Sequence, residues 1–258
     1  MADELRIAVF VDYENLAIGV RDMKTDLRLD LVLKRLLEKG RIVYKRAYGD
    51  WNAYSGAVRE LHALGISMME MPRGRHSGKN SADIWMVVDA LDLCYAKEHI
   101  DAFALLSGDS DFSPLVSKLK ENDKRVIGCG VKNSTADLLI ASCDEFIYYD
   151  DLVRASKKPP AVKKKIATAG AKTNNKKEEA LERLVEIVGS LSRDYDPVWG
   201  SMVKQTIRRV YPGFNEDYYG YRSFNDLLED AADQGLIDLD FDESRGNYQV
   251  RAGKRGKE

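Results

Sequence analysis

Phe103-Ala104-Leu105-Leu106-Ser107-Gly108-Asp109-Ser110-Asp111-Phe112 reads as a buried strand that delivers two carboxylates at its end. Four apolar residues run without alternation, small turn-forming residues follow, and Ser113-Pro114 opens a helix. In an open α/β sheet, ligands collect in the crevice beyond the carboxyl ends of the strands. Asp109 and Asp111 are therefore candidates for holding a divalent cation. The same residue types also cap helices and fill turns, with Asp111 or Ser113 as the cap and Asp109 as the turn residue. From this stretch alone both readings stand.

Upstream, Leu5-Arg6-Ile7-Ala8-Val9-Phe10-Val11 is another short apolar run ending in an acid, Asp12. A helical pattern through Leu31, Val32, Leu33, Leu36 and Leu37 stops at Lys39-Gly40, and Ile42-Val43-Tyr44 starts a second strand, which makes a βαβ unit and a parallel sheet. The alternation repeats with a helix from Ala53 to Leu64 and a strand from Ile66 to Met71. Pro72 to Asn80 is a polar, glycine-containing loop whose Arg73, Arg75 and Lys79 make it either a phosphate-contacting arm or a solvated loop. The helix that follows is apolar on nearly every face, so Asp89 within it needs a partner, for which Lys79 and a helix N-terminus are candidates. Asp83 stands in its first turn, where the helix dipole favours an acid. After the central stretch come a helix (Leu115, Val116, Leu119), a strand (Arg125 to Val131), a short helix (Ala136 to Ser142) and a last strand (Phe146 to Tyr149).

The formal net charge of −2 hides an asymmetry: −4 over residues 1–150, +8 over 151–177 and −6 over 178–258. Residues 157–177 carry eight lysines, no acid and little apolar surface, the composition of a disordered polycationic tether. Beyond it the helical period returns three times, and Leu236 to Phe241 and Tyr248 to Val250 flank a turn, the pattern of a winged helix-turn-helix. The divisions read from this are 1–152, a linker 153–177, 178–251 and a basic tail 252–258. Cys94, Cys129 and Cys143 form no C-x-x-C pair and read as reduced core thiols, pointing to the cytoplasm. Neither a secretory leader nor an apolar run of membrane-spanning length is present, so no membrane partner is expected.

Asp12, Asp83, Asp109 and Asp111 come from two strand ends and a helix start. Were they to converge, their mutual repulsion would call for a hard cation such as Mg²⁺ or Mn²⁺, and such an ion beside a basic loop suits phosphodiester hydrolysis. No P-loop, G-x-S-x-G or G-x-G-x-x-G follows a strand, and the histidines are isolated. An aspartyl-phosphate phosphatase would also use strand-end acids.

Val9-Phe10-Val11-Asp12-Tyr13-Glu14-Asn15-Leu16, Lys79-x-x-x-Asp83 with Asp89, and Ser107-Gly108-Asp109-Ser110-Asp111-Phe112 together resemble the NYN domain, a PIN-like nuclease fold. The resemblance implies an α/β domain with a parallel sheet and helices on both faces. It also implies an acidic metal site of Asp12, Asp83, Asp109 and Asp111 for Mg²⁺ or Mn²⁺, with Asn15, Ser107 and Lys79 orienting it or the substrate phosphate. Asp89 and Asp50 are supporting acids without a fixed role. Val203-Lys204-Gln205-Thr206-Ile207-Arg208-Arg209, Tyr211-Pro212-Gly213-Phe214 and Ser223 to Leu228 resemble the LOTUS (OST-HTH) domain, a winged helix associated with single-stranded or structured RNA and with protein partners. There Lys204, Arg208 and Arg209, with Tyr218, Tyr219, Tyr221 and Arg222, offer a basic-plus-aromatic set for RNA. The expected function is a cytoplasmic Mg²⁺/Mn²⁺-dependent endoribonuclease acting on single-stranded RNA. The alternatives are a regulatory RNA- or protein-binding adaptor on a nuclease fold, and a DNA nuclease.

Overall fold

The computed structural model describes residues 4–23, 25–70, 81–157 and 174–253. The chain divides into two compact units, residues 1–157 and 158–258.

In the first unit, β1 (Leu5–Asp12) pairs in parallel with β2 (Gly40–Gly49) on one side and β4 (Ala102–Leu106) on the other. β3 (Ser67–Glu70), β5 (Arg125–Gly130) and β6 (Glu145–Tyr148) extend it to a six-stranded parallel sheet of order β3-β2-β1-β4-β5-β6. Strand order therefore reverses between β1 and β4, which opens a crevice at their carboxyl ends. Because side chains alternate across a strand, Ile7, Val9, Val11, Ala104 and Leu106 face one core, and Ala8, Phe10, Phe103 and Leu105 the other. The first face is covered by α1 (Tyr13–Asp22), α2 (Leu29–Lys39), α3 (Val58–Ala63) and α7 (Tyr149–Ser156). The second is covered by α4 (Ser81–Ala96), α5 (Ser113–Glu121) and α6 (Asp137–Ser142). Burial on both faces explains the unbroken apolar runs of β1 and β4.

Three boundaries differ from the sequence reading. The helix expected over Ala53 to Leu64 begins as a 3-10 turn, Ser55–Ala57, because Asp50 Oδ1 takes the Asn52 and Ala53 N–H groups into a turn first. Tyr149 starts α7 instead of ending a strand, with its ring buried and its hydroxyl accepting from the Arg28 N–H at 2.8 Å. The linker is shorter at both ends than 153–177, since Val153 is buried in the core and α8 (Asn174–Asp194) already includes Lys176 and Lys177. The disordered character expected for its middle falls on residues 158–173, outside the described residues, as does the tail from 254 onward.

The second unit packs α8, α9 (Gly200–Val210) and α10 (Phe224–Asp233) with a three-stranded antiparallel sheet around one core. The hairpin expected from the alternation is β8 (Ile237–Asp242) with β9 (Asn247–Ala252). A short β7 (Val198–Trp199) adds to β9, giving the order β7-β9-β8. Among the described residues no helix is long and apolar enough to cross a membrane.

Candidate functional site

The crevice between β1 and β4 is built from two consecutive backbone devices. Asp12 ends β1 and is also the N-cap of α1: its Oδ1 accepts from the Asn15 N–H at 3.2 Å. Its Oδ2 accepts from Ser107 Oγ, the first residue after β4, at 2.9 Å. Ser107 Oγ in turn accepts from the Asp109 N–H at 3.1 Å, and Asn15 Oδ1 accepts from the Gly108 N–H at 2.8 Å. Asp109 caps the 3-10 turn Ser110–Phe112, taking the Asp111 N–H at 2.9 Å. The capping reading of Asp12 and Asp109 is what the structure shows, and it does not preclude a further ligand, because a cap occupies one lone pair of a carboxylate and leaves others.

Asp12 is only 7% exposed. Burial, opposed by its two hydrogen bonds and assisted by the charges of Asp83 and Asp109, pushes its pKa up to about 7. The Asp83 pKa is also raised, first by burial and then by Asp109, Asp111 and Glu14. The four acids are therefore close enough to feel one another. Among the described residues no three His, Cys, Asp or Glu side chains lie close enough to enclose a metal ion, so the four-carboxylate set read from the sequence does not close round one point. Local capping explains this: Asp12 is drawn to Ser107 and Asn15, Asp109 to the Asp111 N–H, and like charges keep apart. The donors are nonetheless all hard oxygens beside a buried acid that lacks a basic partner among the described residues. One or two carboxylates completed by water and phosphate is how Mg²⁺ is ordinarily held, so the donor chemistry fits Mg²⁺ or Mn²⁺.

Asp89 does not join this group. It accepts from Arg46 Nη1 and from the Tyr48 hydroxyl, each at 2.6 Å, and so ties α4 to β2. Burial and the Asp89 charge push the Tyr48 hydroxyl pKa up, so it stays a donor. Among the described residues the partners of Asp89 are thus Arg46 and Tyr48 and not a helix N-terminus, while Lys79 lies outside the described residues. Asp50 is likewise occupied: its side chain caps the turn after β2, while its N–H donates to Glu14 Oε1 at 3.3 Å. Arg73, Arg75 and Lys79 lie outside the described residues.

Two contributors escaped the sequence reading. Glu14 adds a fifth acid at this edge, through its effect on Asp83. Its signal was its position two residues after a strand-end aspartate. The segment Val131 to Ala136, following β5, packs beneath Gly108: the Ala136 N–H donates to the Gly108 carbonyl at 2.9 Å. A Cβ at Gly108 would stand 2.7 Å from the Ser134 carbonyl, so glycine is required there. Polar residues after a glycine-ended strand were the available signal.

In the second unit, Arg208 Nη2 meets both carboxylate oxygens of buried Glu216 at 3.0 and 3.1 Å, and Lys204 Nζ lies 3.6 Å away. Burial alone would raise the Glu216 pKa, but hydrogen bonds and these two cations lower it. Lys204 and Arg208 are therefore held by their own fold, unlike the open basic set read from the sequence. Arg209 donates to Thr206 Oγ1 at 3.2 Å. The aromatic side chains of this region carry other cations: Lys176 Nζ lies 4.0 Å from the Tyr218 ring centre and Lys177 Nζ 4.8 Å from that of Tyr221.

A crystal structure of VPA0982 from Vibrio parahaemolyticus, a protein of unknown function, superposes with a TM-score of 0.53 at 25% identity, covering 59% of this chain and 97% of that one. The uncharacterized protein MJ0482 of Methanocaldococcus jannaschii is 29% identical over 150 residues, which are 55% of this chain and 58% of that protein. The chain thus spans little more than half the length of that relative. The family model described as the NYN domain matches residues 6–150, the span of the parallel sheet and its acidic edge. The chain accordingly belongs to the NYN domain family, whose fold is that of nucleases.

Proposed function

We propose that the chain is a Mg²⁺- or Mn²⁺-dependent endoribonuclease of the cytoplasm that hydrolyses phosphodiester bonds in single-stranded RNA, with the C-terminal unit acting as a LOTUS-like RNA-binding module. The observation that carries this reading is Asp12: a buried acid at the switch point of a parallel sheet, with further acids around it and no described cation to neutralise it. Asp12 with Asp109 or Asp83 would hold the cation. When bound, it would activate water and stabilise charge developing on the phosphate oxygens. Ser107 Oγ and the Asn15 N–H fix the orientation of the Asp12 carboxylate, and Asn15 Oδ1 fixes the Gly108 backbone that carries Asp109. Burial raises the Asp12 pKa to about 7, so holding a cation there near neutrality would be linked to release of a proton. Arg73, Arg75 and Lys79 would meet the RNA backbone, and the lysines of 157–177 would strengthen its capture.

Labelled single-stranded RNA incubated with metal, with chelator, and with Asp109→Asn tests the reading. Cleavage by wild type with metal alone is the expected result, and equal cutting in all three refutes it. Matched DNA substrates separate a ribonuclease from a deoxyribonuclease. The absence of a three-acid cluster among the described residues favours a second reading, an RNA- or protein-binding adaptor with little turnover. In that case RNA binding persists unchanged in Asp109→Asn and no metal-dependent product forms.

A further inference from the structure

Helix α4 carries an apolar ridge on the side turned away from the sheet. Its inner side, Met86, Ala90 and Cys94, is buried against the second core. On the outer side Ile84, Trp85, Val88 and Tyr95 are 62%, 51%, 50% and 60% exposed, and half-buried Leu91 continues the line. At 100° per residue, Ile84, Val88, Leu91 and Tyr95 fall in one narrow stripe with Trp85 and Asp92 along its flank. Single exposed apolar residues need no explanation, but four on one helix do.

We propose that this ridge is a homodimer interface in which α4 packs antiparallel against α4 of a second copy, with the two-fold axis passing by Val88. Three observations select that occupant. First, an antiparallel crossing centred midway between the levels of Val88 and Asp89 brings Trp85 opposite Asp92 of the other copy, twice. Neither side chain has a hydrogen-bond partner among the described residues, so the indole N–H gains an acceptor and the carboxylate a donor. Second, the stripe from Ile84 to Tyr95 carries no basic group, which suits a protein face and not a polyanion. Third, the exposed surface of the four large side chains is on the order of 450 Å² per copy, which supplies more than half of what a stable dimer of standard size buries. Trp85 is the anchor, as aromatic residues commonly are in such interfaces.

Sedimentation of the full chain at tens of micromolar tests the proposal. Twice the 29.1 kDa of one chain is expected for wild type, and the single-chain mass for Val88→Glu with an unchanged circular dichroism spectrum, with dimer affinity reduced at least ten-fold. A wild type that remains monomeric overturns the proposal, whether the ridge is then bare or covered by another part of the same chain. A Val88→Glu variant that keeps the dimer mass overturns it as well. Should Val88→Glu fail to fold, oxidation of Val88→Cys decides. A disulfide-linked dimer forming much faster than with Ile18→Cys, an exposed position on the opposite face of the sheet, supports the interface, and equal rates refute it.

Discussion

The carboxyl edge of the parallel sheet and the basic side chains of the C-terminal unit treat charge in opposite ways. At the sheet edge, no described Lys or Arg pairs with Asp12, Asp83, Asp109 or Asp111, and the acids raise the pKa values of Asp12 and Asp83 further. In the C-terminal unit, Lys204 and Arg208 both turn to Glu216, which is buried and held ionised by them. A charge matched within its own fold contributes to structure and is expensive to redirect towards a ligand. Charges left facing one another are a standing cost that a bound cation removes. Asp89 belongs with the matched kind although it stands six residues from Asp83 on the same helix.

The largest expected effect lies at the unmatched edge. Asp12→Asn should lower metal-dependent RNA cleavage by about 10²-fold or more while preserving the fold, because it keeps the shape, with its carbonyl oxygen accepting from the Asn15 N–H and its amide donating to Ser107 Oγ, but loses the charge. Initial rates under saturating Mn²⁺ measure this, and a loss below about three-fold would break the contrast. Next comes the matched acid. Asp89→Ala should destabilise the chain by about 3 kcal/mol in denaturant titrations, since it leaves Arg46 and the Tyr48 hydroxyl unanswered near the core. A variant as stable as wild type would show that the tie between α4 and β2 carries no weight.

A smaller effect concerns pH. The folded-state pKa of Asp12 is raised from 3.8 to about 7, so the folded chain retains a proton that the unfolded chain has released between about pH 4 and 7. In chelator, the stability tied to that proton is present in full below pH 4 and is lost as pH rises to 7. Asp12→Asn should therefore be more stable than wild type by about 4 kcal/mol at pH 8 and nearly equal to it at pH 4. An offset independent of pH would contradict the assignment. The smallest effect is expected in the second unit: Lys204→Ala should weaken RNA binding less than about two-fold, because its charge already faces Glu216. A ten-fold loss in filter binding at fixed salt would show that Lys204 leaves Glu216 for the ligand.

These contrasts were unequally legible in the sequence. β1 and β4 were readable because strands buried on both faces appear as unbroken apolar runs, and Asp12 and Ser107 followed because each run ends abruptly in polar residues. The resemblance of the three motifs to the NYN domain then joined the acids into one expected set. The partner of Asp89 was not legible, since Arg46 lies 43 residues away and meets it only through the register of β2 beneath α4. That strand was recognised at Ile42 to Tyr44, while its pairing continues to Gly49. Glu216 was missed for a similar reason: it follows a Pro-Gly turn, and only the fold of that turn returns it to α9. Pairings made across tertiary space leave no local period, whereas burial does.

Calorimetric titration of Mn²⁺ into the full chain, in parallel with Asp12→Asn and Asp89→Asn, tests the division most directly. Saturable binding by wild type and Asp89→Asn, weakened at least ten-fold in Asp12→Asn, is the expected result. No binding by wild type, or equal binding by wild type and Asp12→Asn, would contradict it.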